Sequence, residues 1–126
     1  MVAAEIGDVF DGCFPDSDHP NGWRYIEMWN KFDPQLGRWG VTYGSNDDPE
    51  LGPEWNMYIW ANKTGDDDTI TIDSSSTGDP NKHYGVFDTA ANGIRWDDGS
   101  LWAKNDASLT DCKQHNYLAE SSNNFL

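Results

Sequence analysis

Short stretches in which apolar and polar residues alternate run along the chain, separated by clusters of turn-forming residues. In Arg38–Tyr43, the residues Trp39, Val41 and Tyr43 alternate with Arg38, Gly40 and Thr42, the period of two that a strand imposes. Residues 54–61 repeat the pattern: Trp55, Met57, Ile59 and Ala61 are apolar, and Asn56, Tyr58, Trp60 and Asn62 fill the alternate positions. Thr69–Asp73 is β-branched, with Ile70 and Ile72 on one side. His83–Asp88 predicts a further strand, with a turn at Asn92-Gly93 after it. Ile94–Lys104 alternates on both sides of Asp98-Gly99, a dipeptide suited to a type I′ hairpin turn, and would bring Trp96 and Trp102 together across the strands. Trp23–Phe32 is also strand-like, but its rings at 23, 25 and 29 fit the alternation imperfectly.

The expected fold is therefore all-β: a small antiparallel β-sandwich or closed β-barrel of six to eight short strands. Residues 1–126 form one domain, with an extended lead-in over 1–22, a β core over 23–104 and a polar C-terminal segment over 105–126 held by Cys112. No three-turn helix with a clean apolar stripe is visible, although 106–119 has room for a short one. The up-and-down pattern resembles small lipocalin-like or avidin-like barrels in general architecture only. Gly37-Arg38-Trp39 follows an earlier strand instead of opening the β core, so the resemblance carries no functional residue across.

Composition changes this picture in one respect. Seven Trp, five Tyr and five Phe supply much of the apolar bulk, more large rings than one small core requires. Charge narrows the partners. Twenty-two acidic against eight basic residues give a net charge of −14, which repels nucleic acid phosphates and anionic lipid heads. No apolar run is long enough to span a membrane, and Met1–Glu5 lacks the basic flank and apolar stretch of a signal peptide. Cys13 and Cys112 lie near opposite ends, where a disulfide would staple both ends of the chain to the core. With the glycosylation acceptor Asn62-Lys63-Thr64, such a bridge predicts an extracellular, periplasmic or organelle-lumen protein.

Candidate chemistry follows from what remains. The histidines at 19, 83 and 115 show no metal-pair spacing, and no nucleophile or phosphate-loop motif occurs. Glu27, among Tyr25, Met28 and Trp29, is the candidate catalytic carboxylate, with Asp97 as a partner in glycoside chemistry; a non-enzymatic role is expected over this one. Asp47, Asp48, Asp66 and Asp68 are loop carboxylates of the kind that ligate Ca²⁺, the one cofactor considered. The leading expectation is a carbohydrate-binding, lectin-like module with Asn56, Tyr58, Trp60, Trp96 and Asp98 as its contact set. Rings stack on the C–H faces of a sugar, while amides and carboxylates bond its hydroxyls. On this reading, replacing Trp60 by Ala abolishes binding and leaves the thermal midpoint nearly unchanged. The alternatives are an acidic subunit that docks a basic protein, or a small barrel that holds an apolar small molecule or works as a carboxylate enzyme.

Overall fold

The computed structural model of the chain describes residues 6–15, 22–45, 55–73, 82–105, 109, 111 and 112. Its strands are β1 (Gly12–Cys13), β2 (Trp23–Asp33), β3 (Gly37–Ser45), β4 (Trp55–Thr64), β5 (Asp67–Asp73), β6 (Lys82–Asp88), β7 (Gly93–Trp96) and β8 (Leu101–Ala103). They lie in sequence order, each antiparallel to the next, in one eight-stranded curled sheet with the shape of a half-barrel. The expected all-β fold is what the structure has. A 3-10 turn spans Asp8–Phe10, and Leu109, Asp111 and Cys112 have helical backbone. Among the described residues, one isolated backbone bridge joins the first and last parts of the sheet, where the Asn105 amide donates to the Cys13 carbonyl at 2.8 Å.

Local chemistry explains where the strands bend and stop. The imperfect alternation of 23–32 has a cause: the β2–β3 register shifts between Met28 and Phe32. Beyond β6, the Asp88 carboxylate accepts the amides of Ala90 and Ala91, and Asn92 takes a left-handed conformation (φ 51°). The β7–β8 turn differs from the type I′ geometry expected of Asp98-Gly99. Only Gly99 has a positive φ, at 90°, and its amide donates to the Trp96 carbonyl, so the loop has three residues. Trp102 consequently pairs with Ile94 in register, and the Trp96 and Trp102 rings meet diagonally, 4.9 Å apart.

The concave side of the sheet is filled by Phe10, Phe14, Ile26, Ile59, Ala61, Ile70, Ile72, Ile94 and Trp96. Phe10 and Phe14 come from the lead-in, so this segment plugs the half-barrel instead of trailing from it. Arg38, itself buried, fixes the plug: its Nε donates to the Trp29 carbonyl at 2.7 Å and its Nη1 to the Ile6 carbonyl at 3.0 Å and the Asp8 carboxylate. Met28 N donates to the Asp11 carboxylate, and Lys104 Nζ to the Val9 carbonyl. The plug therefore occupies the end that carries the β2–β3, β4–β5 and β6–β7 turns. Cys13 and Cys112 form a disulfide, and this bridge packs with Trp23 as a second buried cluster.

Arg38→Ala should destabilise the fold by about 3 kcal/mol, because it strips buried carbonyls of their donor and frees the plug. Asp8→Ala, which removes a half-exposed partner from the same ion pair, should cost about 1 kcal/mol or less. Urea midpoints of the two variants measure the difference; equal midpoints would mean that Arg38 does not anchor the lead-in.

Candidate functional site on the convex sheet face

Strand alternation places Ile59 and Ala61 in the core, and so turns Asn56, Tyr58, Trp60 and Asn62 to the convex side. The register then sets these residues beside their neighbours. Trp60 lies between Trp39 and Thr71, and Tyr58 between Val41 and Asp73. Four rings gather there. Tyr58 packs edge-on against Trp39 (5.6 Å) and Trp29 (6.3 Å), and Trp39 against Trp60 (5.0 Å). Tyr58 is 54% exposed, while Trp60 is only 8% exposed.

Polar groups surround the cluster. One row across the strands reads Glu27, Val41, Tyr58, Asp73 and Lys82, so a carboxylate stands on each side of the exposed ring. Asn56 and Asn62 are exposed on the same strand face. The Trp60 indole N–H is buried and has no acceptor among the described residues. Toward one side, Tyr43 donates its hydroxyl to Glu27 at 3.3 Å. Burial, then the Glu27 charge, pushes the Tyr43 hydroxyl up to about 12. Burial and the carboxylates of Asp11 and Glu27 raise Tyr25 as well.

The structure splits the expected contact set. Asn56, Tyr58 and Trp60 share the convex face, whereas Trp96 lines the concave side and Asp98 lies in the β7–β8 turn. Glu27 is exposed on β2, and Asp97 lies in the β7–β8 turn, where it accepts the Tyr84 amide. Asp66 is exposed in the β4–β5 turn, and Asp68 faces Lys63 at 3.8 Å; Asp47 and Asp48 lie outside the described residues. Among the described residues, no three His, Cys, Asp or Glu side chains gather as a metal-holding group.

Trp29 and Trp39 are the site residues that the linear pattern does not single out. Trp39 belongs to an alternating strand, which by itself does not say which side faces the core. In β3 the concave positions are Arg38, Gly40 and Thr42, and the apolar residues point outward. Gly40 must be small: a Cβ there would come within 2.8 Å of the Glu27 carbonyl and 2.9 Å of the Met28 sulfur.

Burial also corrects the expectation for Trp60. Trp60→Ala should cost about 2–4 kcal/mol in chemical denaturation, because it opens a gap beneath Trp39, whereas Tyr58→Ala should cost about 1 kcal/mol. A separate test uses pH. Tyrosines held protonated by the fold contribute stability that is fully present below about pH 10 and is lost as pH rises toward 12. Thermal midpoints of Tyr43→Phe across this range should fall less steeply than those of the wild type; parallel curves would contradict the shift.

No family model matches the chain, and no curated protein or solved structure matches it.

Proposed function

We propose that this protein is a non-enzymatic carbohydrate-binding module whose sugar lies on the convex face of β2–β4. One observation carries the reading: an exposed tyrosine crowns three tryptophans on the convex face, outside the buried Trp23–disulfide cluster on the same side. Contiguous apolar surface of this kind marks an interaction site. The groups around it suit a polyhydroxylated ligand. The Tyr58 ring offers a stacking face, and Asn56, Asp73 and Glu27 offer acceptors for hydroxyl protons. A cluster made only to bury rings would not surround them with amides and carboxylates.

The formed disulfide supports an oxidising compartment, secreted or lumenal, and no described helix is long and apolar enough to cross a membrane. The architecture that goes with this reading is a barrel closed through the Cys13–Asn105 pair. A loop-bound Ca²⁺ belongs to it only if chelation weakens binding.

Calorimetric titration with soluble neutral oligosaccharides tests the proposal. Tyr58→Ala should weaken binding at least tenfold while the protein stays folded, and raising the salt should change the affinity little, because stacking on a neutral sugar needs no charge. Absence of binding across the panel overturns the reading. A complex with a basic protein that dissolves steeply with salt would favour the docking-subunit alternative, for which the charge of −14 is the motive.

A further inference from the structure

The opposite end of the half-barrel from the plug holds a cavity of about 210 Å³ lined by Met57, Ile72, His83, Trp96, Asp98, Ser100 and Trp102. It is separate from the ring cluster, because these strand residues point to the concave side. The walls are apolar, and the rings of Trp96 and Trp102 stand edge-to-face. Three polar side chains, from His83, Asp98 and Ser100, complete the lining, a mix typical of a small-molecule site. Trp96 is 7% exposed, and its indole N–H has no hydrogen-bond acceptor among the described residues. A buried donor in that state is rare in a folded protein.

We propose that this cavity binds a small arylalkylamine, with its ammonium at the mouth beside Asp98 and its ring inside against Trp96 and Trp102. The orientation follows from the charges. The buried Arg24 guanidinium already lies 4.1 Å from the centre of the Trp102 ring, so a second cation deep in the cavity would be repelled. Asp98 is exposed on the β7–β8 turn, where an ammonium keeps part of its hydration. One Asp98 oxygen accepts both the Ser100 hydroxyl (2.6 Å) and the Ser100 amide (2.9 Å), which fixes the carboxylate in place and holds its pKa below the ordinary range. His83 also faces this carboxylate electrostatically. The chain's net charge of −14 further draws a cation to the mouth. The volume suits one ring with a short arm, being smaller than the roughly 300–1,000 Å³ of larger ligand pockets.

Tyramine and its uncharged analogue 4-propylphenol, titrated into the full chain by calorimetry, test this site apart from the sugar reading. Tyramine should bind saturably and at least tenfold more tightly than 4-propylphenol, and it should shift the Trp96 indole N–H resonance. Asp98→Asn keeps an oxygen for Ser100, and should lower tyramine affinity at least tenfold while leaving 4-propylphenol unchanged. Equal affinities for the charged and uncharged probes on the wild-type protein would overturn the proposal, whatever the variant does. So would absence of tyramine binding at millimolar concentration, or shifts confined to Trp29, Trp39 and Trp60.

Discussion

Side chains alternate across a strand, and a single curled sheet has only one concave side to fill. That constraint organises this molecule. The concave side takes the isoleucines, two phenylalanines and the Trp96–Trp102 pair, and the lead-in plug fills one end of it. Gly40 and Gly85 show how tight the interior is: a Cβ on either would come within 3.0 Å of neighbouring side chains or backbone, with Trp96 and Ile94 in the way at Gly85. The remaining rings have to stand outside. On β2–β4 they form two groups, Trp23, Tyr25 and Tyr43 beside the disulfide and Trp29, Trp39, Tyr58 and Trp60 further along, and the second becomes a local surface.

Two tethers let so short a sheet hold its curl. The disulfide joins residues 99 apart in sequence, and in the chain-entropy model a loop of that length is worth roughly 4–5 kcal/mol. At the other end Arg38 pins the lead-in through carbonyls and the Asp8 carboxylate, which brings Phe10 into contact with Phe87. The disulfide packs beside Trp23, Tyr25 and Tyr43, and Arg38 bonds the Trp29 carbonyl, so both tethers also brace the strands that carry the convex rings. Tyr58 stays exposed beside this braced region.

Much of this was legible in the sequence, and the remainder was hidden for definite reasons. The alternation in residues 54–61 and 69–73 located β4 and β5 and named Met57, Ile59, Ile70 and Ile72 as core. Alternation also set Tyr58 and Trp60 against that core. It could not show that β3 is inverted, because Gly40 faces inward to clear Met28 and Ile59, which lie on other strands. Without that pairing, Trp39 could not be matched to Tyr58. The lead-in reads as polar and turn-rich, so its role as a plug rests on Arg38, 30 residues away from its partner Asp8. Trp96 and Asp98 stand near each other in sequence and at one cavity, yet the same strand parity that groups them separates them from Tyr58.

On the proposed reading a sugar touches the convex rings of β2–β4 and leaves Trp96 and Trp102, on the concave side, untouched. Indole N–H resonances resolve the tryptophans one by one, so a two-dimensional NMR titration with a neutral oligosaccharide is the most direct measurement. Saturable shifts are expected for Trp29, Trp39 and Trp60, with Trp96 and Trp102 unmoved. Shifts at Trp96 and Trp102 with a silent convex cluster would contradict this reading, and would transfer the sugar to the cavity.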